Sequence, residues 1–163
     1  MRRDVYWING PWPGKLGILP RPRGADWLDD EVVAWKDAGV DVVVSLLTLS
    51  EDSELGLSNE LALVQQNGLT FFGFPIPDYS VPSSMKTTRQ LVSTLQDLLS
   101  RGKNVGIHCR QGIGRSSLLA ACVLVTAGES AGTAFHHIKS ARGLPVPDTL
   151  EQRDWVAAFA RSQ

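Results

Sequence analysis

The sequence predicts an α/β domain in which a central, mostly parallel sheet is flanked by helices. Apolar runs of strand length, such as Val40–Leu47, alternate along the chain with helical patterns of ten or more residues. This alternation requires parallel strand pairing through crossover helices. The 163 residues, 43% of them hydrophobic, suffice for one ordinary domain with a buried core. We therefore expect residues 1–163 to form a single domain.

The first 25 residues are rich in Gly, Pro and Trp, and we expect them to form an irregular, extended N-terminal segment. The chain opens with the basic Met1-Arg2-Arg3, but Asp4 and a row of prolines follow where a signal peptide would need an apolar region. No apolar run reaches the roughly 18 residues that span a bilayer, so stable membrane insertion is not expected. The net charge of −1 gives no reason to expect nucleic acid as a partner.

The next two elements are a helix and a strand. The helix is predicted over 26–38, because Asp26 can cap it, apolar residues recur at helical spacing, and Gly39 can end it. The strand is Val40–Leu47, an apolar and β-branched run that only Asp41 and Ser45 interrupt. Such a run is typical of a buried strand.

Helices and strands continue to alternate beyond this point. Ser58 can cap a second helix that Gly68 ends, and Leu69–Phe74 is predicted to be the second strand. A long helix with a leucine-rich face then begins at one of two adjacent serines and ends near Gly102. The remaining predicted elements are a short strand over Asn104–His108 and helices over Arg115–Ala127, Ala131–Arg142 and Thr149–Arg161.

Two predicted loops leave the carboxyl ends of strands, one after Phe74 and one after His108. Ligands of α/β sheets bind at that edge, so we expect the chemistry there. The second loop and its flanking residues read His108-Cys109-Arg110-Gln111-Gly112-Ile113-Gly114-Arg115-Ser116.

This segment has the features of a phosphate-binding loop with a nucleophile. Gly112 and Gly114 permit conformations in which successive N–H groups point inward as an anion site, which the following helix N-terminus reinforces. Arg115 can bind two phosphate oxygens at once. The same positive field favours the thiolate form of Cys109, which is a nucleophile suited to phosphoryl transfer.

The pattern His-Cys, five residues, Arg-Ser resembles the signature loop of the cysteine-based protein tyrosine and dual-specificity phosphatases. Residue types, spacing and the strand–loop–helix context agree, and the likeness covers most of the chain beyond Leu69. It implies a dual-specificity-phosphatase-like fold, Cys109 as nucleophile and residues 110–115 as the phosphate-binding loop. A buried structural thiol is the plain alternative for Cys109. A nucleotide-binding P-loop is excluded, because no Lys follows Gly114.

A departing oxygen needs a proton donor, and Asp78 lies in the proline-rich loop that leaves the same sheet edge. In the phosphatase family an aspartate about thirty residues before the cysteine is the general acid. Asp78 precedes Cys109 by 31 positions, so the resemblance implies that Asp78 is the general acid. The alternative is an aspartate that only nucleates a turn. Glu51, Asp52 and Glu54 are weaker candidates, predicted to form a solvated loop surface.

The resemblance also implies supporting residues. Ser116 would stabilise the thiolate as it leaves during hydrolysis of the phosphoenzyme, and His108 would orient the loop through hydrogen bonds. Gln152 fits one position of a glutamine-containing segment of tyrosine phosphatases, but Asp148 stands where that segment has the glutamine that positions water. Thr149-x-x-Gln152 is also a capping box for the last helix, the interpretation we favour.

The sequence thus predicts a phosphomonoester hydrolase that forms a phosphocysteine and needs neither metal nor cofactor. Its expected substrates are phosphorylated proteins, with phosphotyrosine and, in view of the compact chain, phosphoserine or phosphothreonine. The alternatives are a phosphoinositide or inositol-phosphate phosphatase, a sulfurtransferase and a phosphate-binding pseudophosphatase. Arg110, Gln111 and Ile113 in place of loop lysines favour a phosphoprotein. Cys122 is expected in the apolar core, and the protein is expected in the cytoplasm.

Overall fold

Within residues 4–163, five short strands form one central sheet, and seven α-helices cover its two faces. The structure is a computed structural model that describes residues 4–163, so the first three residues of the predicted N-terminal segment lie outside the described residues. The strands are β1 (Tyr6–Ile8), β2 (Leu16–Ile18), β3 (Val42–Ser45), β4 (Thr70–Gly73) and β5 (Val105–His108). The helices are α1 (Leu28–Asp37), α2 (Leu49–Leu55), α3 (Glu60–Gln66), α4 (Met85–Ser100), α5 (Arg115–Thr126), α6 (Ala131–Arg142) and α7 (Leu150–Arg161).

The strand order is β1-β2-β5-β3-β4. The pairs β2–β5, β5–β3 and β3–β4 are parallel, and only the edge strand β1 runs antiparallel to its neighbour. In the register, Ser45 at the end of β3 lies beside both Gly73 of β4 and His108 of β5. The loops that follow these three strands therefore leave the sheet at one edge.

The sheet separates two apolar cores, so the domain has three layers. Side chains alternate along β5, with Val105 and Ile107 in the larger core and His108 stacked on Trp35 in the smaller one. The larger core includes the inner faces of α4, α5, α6 and α7, and the smaller core includes those of α1 and α3. Helix α5 is buried at every residue from 115 to 125. The nearly all-apolar sequence of α5 therefore reflects a helix surrounded by other elements.

The predicted alternation of strands and helices is confirmed, and the observed strands are shorter than the predicted runs. The first helix differs at its start, because Ala25–Trp27 is a 3-10 turn and Asp26 makes no capping hydrogen bond. The N-terminal segment contributes β1 and β2, and β2 pairs with β5 at the centre of the sheet. Within the described residues, no helix is both long and apolar enough to cross a membrane.

Helix α2 was not predicted, since its sequence is polar and its seven residues are too few to show periodicity. It is defined at its ends instead. Thr48 and Glu51 form a capping box, and Gly56 ends the helix in the left-handed conformation at φ 70°. The prediction of a solvated loop over Glu51, Asp52 and Glu54 is therefore wrong, because these residues lie in a helix. Glu51 is also buried and not exposed to solvent.

Candidate active site

Cys109 lies directly after β5, at the carboxyl edge of the sheet, and its residue is only 2% exposed. The backbone N–H of Gly112 donates to its Sγ at 3.3 Å. That approach depends on the loop turning back on itself, and Gly112 adopts φ +70°, a conformation that favours glycine. The loop thus places a backbone donor on the sulfur, as the sequence predicted for an anion-stabilising loop.

Arg115 is the first residue of α5 and its side chain is 1% exposed. Its guanidinium donates from Nη1 to the carbonyl oxygen of Ile76 at 2.7 Å, and Nη2 lies 2.9 Å from Oδ1 of Asp78. Arg115 thus joins the cysteine loop to the loop that carries Asp78. Its Nε has no acceptor among the described residues.

Glu51 completes the binding of this arginine from a third element, α2. Nη1 and Nη2 of Arg115 donate to Oε1 and Oε2 of Glu51 at 2.7 and 2.9 Å, a bidentate pair. Burial raises the pKa of Glu51, but the hydrogen bonds from Arg115 and Thr48 outweigh it and hold the pKa below its usual value. Burial lowers the pKa of Arg115, but Glu51, the Cys109 sulfur and Asp78 together raise it above its usual value. The pair is therefore ionised.

Asp78 follows β4 in the proline-rich loop, and its side chain is 37% exposed. Tyr79 adopts φ +58°, which is uncommon for a residue other than glycine, and its N–H donates to Oδ1 of Asp78 at 3.0 Å. The strained turn and Arg115 both fix this carboxylate, so it faces the cysteine loop while one side stays open to solvent.

The other loop residues differ in their surroundings. Arg110 is partly exposed at the rim, with Nη2 3.3 Å from Oε1 of Glu54. Gln111 is exposed and Ile113 is half-buried. A side chain at Gly114 would collide with the Asp148 carboxylate and the Gln152 amide. Gly114 is therefore required by the close approach of the segment at the N-terminus of α7.

His108 is fully buried, and its Nε2 lies 2.6 Å from Oε2 of Glu60 on α3. Its ring stacks on Trp35 with a centroid distance of 5.8 Å. The histidine therefore anchors the strand end before Cys109 to two helices of the smaller core. Glu60, like Glu51, is a buried carboxylate. The sequence indicates Glu51 only as a weaker candidate on a solvated surface, and it does not indicate Glu60.

Ser116 and Gln152 also lie in the buried part of the site. The Oγ of Ser116 is buried and has no partner among the described residues. The Oε1 of Gln152 accepts the N–H groups of Asp148 and Thr149, and its Nε2 donates to the carbonyl oxygen of Ser80 at 3.0 Å. The predicted capping box is confirmed, and the same glutamine also reaches the Asp78 loop.

Asp148 lies close enough to Asp78 and Arg115 for both charges to affect it. Partial burial and the charge of Asp78 raise its pKa, against the lowering effect of Arg115. Cys122 is fully buried in the middle of α5, and burial raises the pKa of its thiol far above the usual value. It belongs to the core, as predicted.

The structure thus brings Cys109, Arg115 and Asp78 together, as the sequence predicted, and adds Glu60 and Arg142. Glu51 joins the site as the buried partner of Arg115 and does not lie on the solvated surface that was predicted. Arg142, at the end of α6, donates to two carbonyl groups of the cysteine loop. One sequence signal could have indicated α2 and its Glu51, namely the spacing Thr48-x-x-Glu51 of a capping box. No local signal points to Glu60 or Arg142, since their partners are distant in the sequence.

The fold and the site together define the class of this protein. A parallel-dominated sheet whose central strand runs into a cysteine loop, followed by a helix that begins at an arginine, is the arrangement of a cysteine-based phosphatase. The chain belongs to the dual-specificity phosphatase family. The family model described as "Polymorphic toxin system, DSP-PTPase phosphatase" matches residues 19–129.

Curated relatives agree with this assignment. Cyclin-dependent kinase inhibitor 3 of Rattus norvegicus is 30% identical over 126 residues, which cover 76% of this chain and 59% of the relative. Protein tyrosine phosphatase domain-containing protein 1 of Danio rerio is 30% identical over 103 residues, 63% of this chain and 14% of that protein. The chain therefore spans less than two thirds of the length of these relatives.

Solved structures show the same fold. Kinase associated phosphatase (KAP), crystallised with serine in place of its catalytic-site cysteine, superposes with a TM-score of 0.88 at 23% identity, covering 98% of this chain and 94% of that one. Tk-PTP in its active form superposes with a TM-score of 0.77 at 24% identity and covers both chains completely.

Proposed function

We propose that this chain is a phosphomonoester hydrolase that works through a phosphocysteine, with phosphorylated proteins as substrates. The observation that carries the proposal is the convergence of three groups at one sheet edge. The Gly112 N–H contacts Cys109 Sγ, Arg115 begins the next helix, and Asp78 lies 2.9 Å from the Arg115 guanidinium. The family to which the chain belongs supports the same reaction. We take the 163 residues as one catalytic domain.

In the first step, the Cys109 thiolate attacks phosphorus and the bond from phosphorus to the ester oxygen breaks. Asp78, which must begin the step protonated, transfers its proton to the departing oxygen. The N–H groups of residues 110–115 and the guanidinium of Arg115 hold the remaining phosphate oxygens as negative charge redistributes. The Nε–H of Arg115 has no acceptor within residues 4–163 and suits this role.

In the second step, water attacks the phosphocysteine and the sulfur leaves as a thiolate. The water gives its proton to the Asp78 carboxylate, which restores the acid. The buried hydroxyl of Ser116 would donate to the departing sulfur and lower the cost of that charge. Because Arg115 and the loop amides neutralise the phosphate, the proposed reaction needs neither metal nor cofactor.

Phosphoproteins with phosphotyrosine, phosphoserine or phosphothreonine are the proposed substrates. One curated relative is named for a cyclin-dependent kinase and another for a protein tyrosine phosphatase domain, which supports a protein substrate. The exposed side of Asp78 also leaves the site open at its rim. A nucleophilic thiol must stay reduced, so we place the activity in a reducing compartment, the cytoplasm.

The decisive experiment is a turnover panel with and without EDTA. The panel contains phosphotyrosine and phosphothreonine peptides, phosphoinositides, inositol phosphates and thiosulfate. We expect peptide dephosphorylation that EDTA does not affect and that Cys109→Ser abolishes, while Cys122→Ser retains it. Turnover of lipids alone would show that the substrates are phosphoinositides and not phosphoproteins. Sulfur transfer from thiosulfate would show that the protein is a sulfurtransferase. Full activity of Cys109→Ser would exclude the phosphocysteine mechanism.

A further inference from the structure

The carbonyl groups of the cysteine loop are bound by an arginine that the loop itself does not contain. Arg142, in the last turn of α6, donates from Nε to the carbonyl oxygen of Gly112 and from Nη2 to that of Gln111, both at 3.0 Å. One planar guanidinium therefore binds two successive carbonyls, 30 and 31 residues earlier in the chain.

The peptide unit between Gln111 and Gly112 connects this arginine to the nucleophile. Its C=O accepts from Arg142, and its N–H donates to Cys109 Sγ at 3.3 Å. A trans peptide is planar, so its C=O and N–H point in opposite directions. Fixing the carbonyl outward fixes the N–H inward, and a charge-assisted bond at the oxygen strengthens the N–H as a donor.

Arg142 is itself held in place from outside the loop. Its guanidinium lies 4.3 Å from the ring centroid of Tyr6 on β1, and Gly143 ends α6 immediately after it at φ +77°. The ring supports the guanidinium in the plane needed to reach two carbonyls. The edge strand β1 therefore supports the cysteine loop through a side chain of α6.

We propose that Arg142 is a positioning residue of the site, which orients the Gln111–Gly112 peptide so that its N–H stabilises the Cys109 thiolate and then a phosphate oxygen. The proposal rests on the proposed function and adds to it a residue outside the signature loop. Arg142 acts through the peptide rather than on the substrate.

The test compares Arg142→Ala and Arg142→Lys with Arg153→Ala. Arg153 is a matched control because it also donates to a backbone carbonyl, that of Val146 at 3.1 Å, and lies 5.1 Å from the centroid of an aromatic ring, that of Phe135. Its carbonyl partner is outside the cysteine loop. The main measurement is the pH dependence of alkylation of Cys109 by iodoacetamide, followed by mass spectrometry of its peptide, which requires no turnover.

For Arg142→Ala we expect the pH at which Cys109 is alkylated at half its maximal rate to rise by about one unit, because the thiolate loses an oriented donor. We expect kcat/KM for a phosphopeptide to fall about tenfold, mostly in kcat, since phosphate binding in the transition state weakens. Arg142→Lys should behave like Arg142→Ala, because an ammonium cannot bind both carbonyls in the geometry of a guanidinium. Arg153→Ala should leave the alkylation profile unchanged.

An alkylation profile of Arg142→Ala that coincides with those of the wild type and Arg153→Ala would overturn the proposal. Complete recovery by Arg142→Lys would also overturn it, since charge alone would then suffice. If the wild type hydrolyses no phosphate ester but the profile still shifts, the proposed function fails and the positioning role stands.

A second pair of variants covers the case in which Arg142→Ala does not fold. Tyr6→Leu removes the ring beneath the guanidinium, and Tyr6→Phe keeps it. A shifted profile for Tyr6→Leu but not for Tyr6→Phe supports the proposal, and two profiles identical to the wild type contradict it.

Discussion

Arg115 carries a permanent charge in a nearly dry position, and Glu51 compensates that charge. An isolated buried charge costs several kcal/mol, and a bidentate carboxylate with additional hydrogen bonds can offset the cost. The two Nη atoms of Arg115 bind Glu51, Ile76 and Asp78, while the Nε–H has no acceptor among the described residues. The guanidinium is thus held on one side by the protein, and the proposed phosphate contact uses donors that are already oriented.

Glu51→Gln should therefore lower activity although it does not touch the substrate. A glutamine amide can accept from one Nη atom but cannot form the ionic pair, so Arg115 loses its orientation. We expect kcat/KM for a phosphopeptide to fall about 100-fold, as for other misplaced catalytic groups. Glu54→Gln, on the same helix with a side chain 61% exposed, is the matched control and should lose less than about twofold, since exposed ion pairs contribute little. Equal losses in the two variants would show that Glu51 has no special role.

Asp78→Asn tests the general acid by its dependence on the leaving group. A serine or tyrosine oxygen needs a proton to depart, whereas nitrophenolate leaves as a stable anion. We expect turnover of phosphopeptides to fall by about 10²–10⁴ and turnover of nitrophenyl phosphate to fall much less. A uniform loss across leaving groups would mean that Asp78 only shapes its loop, and Asp148 would become the candidate acid.

For single residues, the sequence predicts roles that depend on neighbouring positions and does not predict contacts between residues far apart in the chain. Cys109 through Ser116 are contiguous, so residue types and spacing suffice to identify the loop. Glu51 meets Arg115 across 64 positions and Glu60 meets His108 across 48. Only folding brings such carboxylates to their partners, so a polar residue near a helix start gives no indication that it will be buried.

The elements position these residues through their ends. The carboxyl ends of β3, β4 and β5 and the N-termini of α2, α5 and α7 meet at one edge of the sheet, where backbone N–H groups and partial positive charge are concentrated. Long amphipathic elements such as α4 were predicted because their apolar period extends over several turns. Helix α2 has seven residues and no such period, and its capping box is the feature that defines it.

The N-terminus of α7 offers a prediction at the scale of the element. Gln152 both caps α7 and donates to the carbonyl oxygen of Ser80 in the Asp78 loop. Gln152→Ala should cost about 1 kcal/mol of stability through the cap and should also release the Asp78 loop. We therefore expect a larger rate loss with phosphopeptides than with nitrophenyl phosphate.

Thr149→Ala is the matched control for this variant, because it removes the capping hydrogen bond to the Gln152 N–H and leaves the contact with Ser80. It should lower the thermal midpoint to a similar extent and leave the ratio of the two rates unchanged. If Gln152→Ala and Thr149→Ala gave the same ratio of phosphopeptide turnover to nitrophenyl phosphate turnover, Gln152 would act only as a helix cap.

The whole molecule is organised by a sheet with an apolar core on each face. The sequence predicts the α/β class from alternation, and it predicts the edge of the sheet that carries the site. It does not predict that the N-terminal β2 pairs with β5, because three residues leave no periodic signal. The packing of Leu19, the residue after β2, also depends on Gly106, where a Cβ would lie 2.6 Å from the Leu19 side chain. Close approach of this kind is a property of the assembled domain.

Two adjacent carboxylates should affect the stability of the whole molecule in opposite directions as pH changes. The hydrogen bonds to Arg115 and Thr48 hold the pKa of Glu51 below its usual value in spite of burial. Burial raises the pKa of Asp52, and so do the charges of Glu60 and Glu51, against the lowering effect of His108. Folding therefore releases a proton from Glu51 and takes one up at Asp52 in the range where each titrates.

The sign of each contribution follows from linkage. Glu51 stabilises the fold above its unfolded pKa, and that contribution is lost as the pH falls through its lower folded pKa. The ionised Asp52 destabilises the fold at neutral pH, and protonation relieves this as the pH falls through its raised folded pKa. Glu51→Gln should thus be less stable than the wild type at pH 7, and Asp52→Asn more stable. Both differences should shrink as the pH is lowered from about 6 toward about 3, the range in which carboxylates titrate. Chemical denaturation at a series of pH values measures both. A stability difference that stays constant over this range in either variant would show that the carboxylate does not titrate differently in the folded and unfolded states.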